Sequence, residues 1–277
     1  MPRHVLVVVS AADRLPLQGG GSAPTGVYLG ELVEPAAALL AAGVRLSFAT
    51  PGGRAPTLDG TSCSLAYFGF SRAKRDAAFA TYARLLDAGL GAPIPLEKLH
   101  TVEQYDGLFV PGGHAPLVDL LYRDAHTGAA HNEDFGALLA HFHAAGKPTG
   151  LICHAPAALA AAPEVDGHWL YAGYRMTCFK TVVDTMLQTV PVARRFPGRL
   201  FEPDPARLLG ELGGRVEQTR LPMGSKVVID RELVTGQDPY SARAFGAAFT
   251  RQVRAADRAA AGMDEIRTGD SAVAPRR

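Results

Sequence analysis

The sequence predicts an α/β fold: a three-layer sandwich with a mostly parallel central sheet and helices on both of its faces. The first observation is that short apolar, β-branched segments alternate along the chain with longer segments of helical character, as in repeated strand–helix units. The second is the character of the first such segment, residues 4–9. It is almost continuously apolar, which is typical of a parallel strand that is buried on both faces.

The remaining elements are predicted in order from turn and cap signals. A helix begins near Glu31 or Pro35 and is ended by Gly43, because glycine readily adopts the backbone conformation that terminates a helix. Further strands are predicted at 44–50, 105–110, 148–153, 174–179 and 215–220, followed by a hairpin at 226–236. Further helices are predicted at 73–88, 134–145, 157–162, 205–212 and 241–261.

These elements are expected to form one domain, residues 1–260, since no internal repeat interrupts them. Residues 52–101 are less regular, and we interpret them as an insertion that holds one or two helices. Residues 261–277 are predicted to be a disordered tail.

Composition argues against several classes of partner. The 28 basic residues nearly balance the 27 acidic ones, which argues against nucleic acid or an anionic membrane as the main partner. The apolar segment at 5–12 suits a first core strand, and no other apolar run is long enough to cross a bilayer. The three cysteines are too irregularly spaced for a disulfide framework or a zinc motif, so we expect a cytoplasmic protein.

Cys153 and His154 lie side by side where a predicted buried strand turns into a predicted helix. Such a turn presents its residues at the carboxyl end of the sheet, where open α/β sheets bind their ligands. Unpaired N–H groups at a helix N-terminus favour a thiolate, so we expect a lowered pKa for this cysteine. A catalytic nucleophile and a buried structural cysteine are both open interpretations at this point.

The preceding predicted strand ends in a glycine-rich turn at the same edge of the sheet. Gly112 and Gly113 allow close approach of the backbone, and N–H groups there could hold an oxyanion beside the sulfur. His114 either lines the same pocket or caps the turn. The sequence therefore predicts a substrate-binding or oxyanion-binding role for this turn.

Five segments make the chain similar to a known family. "GLFVPGGHAPL" followed by "GLICHAPAAL" resembles the ThiJ/PfpI superfamily, which shares its sheet with class I glutamine amidotransferases. "PTGVYLGELVEP", "MTCFKTVVD" and "LVTGQDPYSA" resemble, more narrowly, its heat-shock chaperone and glyoxalase III branch. The resemblance covers about residues 4–255 and implies a flavodoxin-like, class I glutamine amidotransferase-like sheet and a homodimer.

The resemblance implies roles for individual residues. Cys153 matches the nucleophile and His154 the adjacent imidazole. Asp184 falls where this branch has the acid that orients the histidine, and a surface carboxylate is the alternative. Glu31 matches the carboxyl that contacts the sulfur and moves protons, although Glu34 is equally suited to a helix N-terminus. Some members bind a metal through His and Glu in the stretch that follows, but this chain has no histidine there, so neither a metal nor a cofactor is expected.

The function implied by the resemblance is that of a glutathione-independent glyoxalase of the glyoxalase III, or D-lactate dehydratase, type. It would act on a small reactive carbonyl such as methylglyoxal and form a 2-hydroxy acid. One alternative is a stress-response holdase chaperone for unfolded client proteins, or a redox sensor that uses its cysteine. Another is a thiol hydrolase of the same superfamily: a protein deglycase, amidase or peptidase.

Overall fold

The computed structural model describes residues 2–123, 130–190, 195–196, 198–200, 204–220 and 224–269, with side chains up to residue 255. Within these residues the strands are, in chain order, β1 (His4–Val8), β2 (Arg14–Pro16), β3 (Ser22–Pro24), β4 (Arg45–Thr50), β5 (Ile94–Pro95), β6 (Gly107–Val110), β7 (Thr149–Ile152), β8 (Glu164–Val165), β9 (His168–Trp169), β10 (Arg175–Met176), β11 (Arg215–Val216), β12 (Val227–Asp230) and β13 (Leu233–Gly236). The α-helices are α1 (Leu29–Ala41), α2 (Arg72–Leu85), α3 (Pro116–Asp119), α4 (Glu133–Ala144), α5 (Thr181–Thr189), α6 (Pro205–Glu211) and α7 (Ala242–Gly269).

Seven of these strands form the central sheet, in the order β12-β13-β7-β6-β1-β4-β5. Neighbouring strands pair in parallel except β12, which pairs antiparallel with β13. The run β4-β1-β6-β7-β13 has the strand order of flavodoxin-like sheets. The predicted α/β architecture is therefore confirmed.

The side chains of β1 alternate between two hydrophobic cores. Val5 and Val7 belong to a core shared with α1, α2 and α7. Leu6 and Val8 belong to a core on the other face, shared with α4, α6 and the 3₁₀ helix Ala155–Ala161. Burial on both faces explains why the sequence of this strand is apolar almost throughout.

The carboxyl ends of β6 and β7 lie side by side at one edge of the sheet. The parallel register pairs Val110 with Leu151, so the turns that follow these two residues are adjacent. The first turn contains residues 112–114 and the second contains residues 153–154. The fold thus brings together the two segments in which the sequence placed the site.

Several elements differ from the sequence prediction. Residues 14–24, for which no strand was predicted, form the hairpin β2–β3, and Gly19, Gly20 and Gly21 adopt positive φ at its turn. The helix expected at 157–162 is a 3₁₀ helix that starts at Ala155. The strand expected at 174–179 is reduced to β10, which pairs with β11 outside the central sheet, because Phe179 donates its N–H to the carbonyl of Cys153 instead.

The insertion and the C-terminal helix also contain more regular structure than was predicted. Residues 52–101 contain α2 and end in β5, which adds an edge strand to the central sheet next to β4. Helix α7 runs to Gly269, beyond the predicted end at 261, and the remainder of the predicted disordered tail, 270–277, lies outside the described residues. No described helix combines the length and the apolar character needed to cross a membrane.

Candidate active site

Cys153 occupies a strained turn between β7 and the 3₁₀ helix. Its φ is +66°, a left-handed conformation that is uncommon for a residue with a side chain. Two backbone hydrogen bonds hold it there: its N–H donates to Gly236 at 2.9 Å, and its carbonyl accepts from Phe179 at 2.8 Å. Although the residue is only 3% exposed, this turn presents it to a cavity, as in a nucleophile elbow.

His154 connects the sulfur to a buried carboxylate. Its Nδ1 lies 3.3 Å from Sγ of Cys153, and its Nε2 lies 3.4 Å from Oδ1 of Asp184. Burial opposes ionisation of Asp184, but hydrogen bonds from His114 and His154 outweigh it and lower the pKa of this carboxyl. An ionised Asp184 only accepts hydrogen bonds, so Nε2 of His154 carries the proton and Nδ1 faces the thiol as an acceptor.

His114 is a second histidine on the same carboxylate. Its Nε2 is 3.1 Å from Oδ1 of Asp184, and its ring lies against that of His154, with centroids 3.8 Å apart. Burial and the neighbouring His154 lower the pKa of His114 to about 4, so its ring is neutral at neutral pH. His114 lines the cavity, as one sequence interpretation expected, and it also anchors Asp184.

Gln188 completes the set of hydrogen bonds to Asp184. Its Nε2 donates to Oδ2 at 3.2 Å from a position one turn later on α5. This residue was not predicted from the sequence. Its only signal is the spacing of four residues from Asp184, which becomes informative once the orientation of α5 is known.

Glu31 is fully buried in the first turn of α1, whereas Glu34 is exposed. Within the described part of the chain, neither oxygen of the Glu31 carboxyl has a hydrogen-bond partner. Burial raises the pKa of Glu31 well above its ordinary range, and interactions with the Cys153 thiol and the Gly113 N–H only partly offset this rise. The structure thus holds a protonatable carboxyl beside the sulfur.

The prediction of a lowered thiol pKa is wrong. Burial raises the pKa of Cys153, and the Glu31 carboxylate raises it further, while the N–H of Gly113 acts weakly in the opposite direction. The helix that follows is a 3₁₀ helix of only 7 residues, so its dipole does not offset the burial. Cys153 is therefore a neutral thiol at rest and has to transfer its proton to a neighbouring base when it attacks a substrate.

Gly112 allows Glu31 and Cys153 to approach each other. A Cβ at Gly112 would lie 2.5 Å from the carbonyl oxygen of Ile152 and 2.6 Å from Cβ of Cys153, and it would also collide with the Glu31 carboxyl. The next residue, Gly113, has a φ of +101°, and its N–H acts to lower the pKa of both the Glu31 carboxyl and the Cys153 thiol. The oxyanion-binding role of this turn stays a prediction.

A cavity of about 250 Å³ opens above Cys153. Six apolar or aromatic side chains from distant parts of the chain contribute to its walls: Tyr28, Tyr67, Val183, Met186, Leu187 and Tyr240. None of these was predicted from the sequence. Tyr28, Val183 and Tyr240 lie in segments that carry the family resemblance, but only the tertiary fold brings the six side chains together.

His114, His154 and Asp184 also form a group that could hold a metal ion. Their ligand atoms lie within 4.8 Å of one another, and all three residues are buried. In the structure these atoms are engaged in the hydrogen bonds described above. That the protein binds neither a metal nor a cofactor stays a prediction.

A model of the DJ-1/PfpI family matches residues 23–252. The chain belongs to the DJ-1/PfpI family. The match includes the glycine-rich turn, Cys153, Asp184 and Glu31. The resemblance found in the sequence motifs is thereby confirmed.

Two curated relatives and one solved structure are similar to this chain. It is 25% identical over 139 residues to a probable glutathione-independent glyoxalase (hsp3104) of Schizosaccharomyces pombe, covering 50% of this chain and 56% of that protein. It is 24% identical over 265 residues to the protein/nucleic acid deglycase HchA of Escherichia coli O157:H7, covering 92% of this chain and 82% of that one. The crystal structure of glyoxalase III from Candida albicans shares the fold with a TM-score of 0.69 at 18% identity, covering 90% of this chain and 97% of that one.

Proposed function

We propose that this DJ-1/PfpI protein is a glutathione-independent glyoxalase that converts 2-oxoaldehydes to 2-hydroxy acids. Relatives named as a glyoxalase and as a deglycase support an enzymatic role. The choice of a glyoxalase rests on the chemistry of the residues around Cys153.

The observation that carries the proposal is the pairing of Cys153 with the buried carboxyl of Glu31. A glyoxalase has to move a proton from one carbon of its substrate to the next, which requires an acid–base group that is shielded from bulk water. Glu31 is 0% exposed, and its raised pKa makes its carboxylate a stronger base than an exposed one.

The first chemical step is addition of the sulfur to the aldehyde carbon. The thiol of Cys153 gives its proton to Nδ1 of His154 as Sγ bonds to that carbon, and Asp184 stabilises the resulting imidazolium. The N–H of Gly113 stabilises the developing oxyanion, and loss of one such donor typically costs about 3 kcal/mol. Return of the proton from His154 to this oxygen gives a neutral hemithioacetal.

The second step is transfer of a proton between the two carbons. In protein molecules in which Glu31 has released its own proton to solvent, its carboxylate removes the proton from the carbon bonded to sulfur. The electron pair moves toward the ketone to form an enediol, and His154 moves protons between the two oxygens. Glu31 then returns its proton to the neighbouring carbon, which leaves a thioester. Water hydrolyses the thioester, releases the 2-hydroxy acid and restores the thiol, so the net reaction adds one water to the 2-oxoaldehyde.

The test is to incubate the purified protein with methylglyoxal in the absence of glutathione and to measure lactate. The wild-type protein is expected to form lactate, and Cys153→Ala is expected to form none. Cys63→Ala is a matched control, because Cys63 is only half-buried and lies outside the cavity, and it should retain the activity. Wild-type protein that consumes no 2-oxoaldehyde under these conditions would contradict the proposal.

A deglycase is a second candidate, favoured by the similarity to HchA along 92% of the chain. It would use the same sulfur to release a carbonyl compound from its adduct with an amino acid side chain. The two functions are separated by supplying either free methylglyoxal or a preformed adduct of methylglyoxal with N-acetylarginine. A deglycase forms the hydroxy acid from the adduct faster than the adduct releases methylglyoxal spontaneously, whereas a glyoxalase does not.

A further inference from the structure

The cavity above Cys153 is larger than methylglyoxal requires. Its volume is about 250 Å³. For comparison, an engineered apolar cavity of ~150 Å³ in a protein core holds one benzene molecule. The cavity thus has room for an aromatic ring in addition to the two-carbon group that reacts with the sulfur.

Two different walls flank this space. The tyrosine wall consists of Tyr28, Tyr67 and Tyr240, and the aliphatic wall, on α5, consists of Val183, Met186 and Leu187. The rings of Tyr28 and Tyr67 pack edge to face with centroids 5.2 Å apart, which fixes the surface that they present. A flat apolar group in the cavity would therefore find both aromatic and aliphatic surface to contact.

The charged side chains at the cavity are engaged with other groups of the protein. Arg195 pairs with the buried Asp59, and Asp238 accepts a hydrogen bond from Ser241 at 2.9 Å. Lys180 likewise has an interaction partner. The two walls, rather than a free charge, are therefore the features that discriminate among substituents.

We propose that the preferred substrates are 2-oxoaldehydes that carry an aromatic substituent, with the ring between the tyrosine wall and the aliphatic wall. This inference rests on the proposed glyoxalase function. The chemistry is unchanged: the sulfur adds to the aldehyde carbon, a proton moves from that carbon to the ketone carbon, and water hydrolyses the thioester to a 2-aryl-2-hydroxy acid. The walls contact the substituent and leave the reacting carbons to Cys153 and Glu31.

The first experiment compares kcat/KM for phenylglyoxal and methylglyoxal with the wild-type protein and no glutathione. Because burial of one methylene is worth about 4-fold and a phenyl ring buries several more carbons than a methyl group, the expected preference for phenylglyoxal is at least ~10-fold. Equal or lower kcat/KM for phenylglyoxal overturns this inference and leaves the proposed function intact. Turnover of neither compound overturns the proposed function itself.

The second experiment tests whether the walls, and not the intrinsic reactivity of the two aldehydes, determine the ratio of the two kcat/KM values. Met186→Ser and Tyr240→Ser each remove apolar surface from one wall, and both residues are partly exposed, at 47% and 53%, so both variants should fold. Each variant is expected to lower the ratio of the two kcat/KM values at least ~4-fold, the effect of about one buried methylene. Val182→Ser, one turn before Met186 and 62% exposed outside the cavity, should leave the ratio unchanged. A ratio that does not respond to the wall variants, or that Val182→Ser lowers equally, overturns the inference.

Discussion

Replacing Gly112 by alanine should remove most of the proposed glyoxalase activity, because this position leaves no space for a side chain. The added Cβ would lie 2.5 Å from the carbonyl oxygen of Ile152 and 2.6 Å from Cβ of Cys153, distances that real Cβ contacts essentially never show. The added Cβ would also collide with the Glu31 carboxyl. Since the first two belong to the strand and to the strained turn, relief of the collision has to displace the turn, the carboxyl, or both.

The magnitude follows from the size of that displacement. Overpacking of this kind typically costs about 1–3 kcal/mol of unfolding free energy, and a displacement of the order of 1 Å between reacting groups costs about 100-fold in rate. We therefore expect kcat/KM of Gly112→Ala to fall by about 100-fold, with a melting temperature lowered by about 2–4 °C per kcal/mol lost.

The assay is 2-hydroxy acid formation without glutathione, combined with thermal unfolding of the same preparation. Gly30→Ala is the matched control, because Gly30 immediately precedes Glu31 on α1 and a Cβ there meets nothing within 4 Å. This control should keep full activity. Full activity and an unchanged melting temperature in Gly112→Ala would refute the close approach of Glu31 to Cys153.

Two further outcomes follow from the buried acids. Asp184→Asn should lower kcat/KM at least ~100-fold, because an amide does not stabilise the imidazolium that His154 becomes during attack. Steady-state kinetics of the folded variant measure this loss. The pKa of Glu31 is raised above its ordinary value of 4.5, so the stability that its proton provides is present below that pH and is lost as the pH rises through the folded value. Chemical denaturation should therefore show the stability of Glu31→Gln relative to wild type increasing as the pH rises above about 4.5, and a pH-independent difference would contradict the raised pKa.

Local sequence signals were sufficient to predict the α/β fold class and the position of the candidate nucleophile. The strand β7 is marked by its apolar residues, and the turn after it by the adjacent Cys153 and His154. The end of α1 is marked by Gly43, which adopts a φ of +77° after the helix, as its type predicts. Each of these features is determined by residues that are adjacent in the chain, so each can be predicted from the sequence alone.

The electrostatics of the site could not be predicted in this way. The expected effect of a helix N-terminus on Cys153 is a local one, whereas the observed rise in its thiol pKa comes from burial and from Glu31, which lies on another element. The sharing of Asp184 by two histidines likewise depends on how α5 packs against the turns that follow β6 and β7. The tyrosine wall includes Tyr67, which belongs to the insertion. No local sequence pattern indicates where the insertion packs.

The central claim is that Glu31 carries the proton between the two carbons of the substrate. The most direct measurement is kcat for Glu31→Gln with methylglyoxal, together with the intact mass of the protein during the reaction. We expect kcat to fall at least ~100-fold, since a positioned acid–base group contributes about 10²–10⁴-fold, while the mass shows a methylglyoxal adduct accumulating on Cys153. A folded Glu31→Gln protein that forms lactate at the wild-type rate would contradict the account.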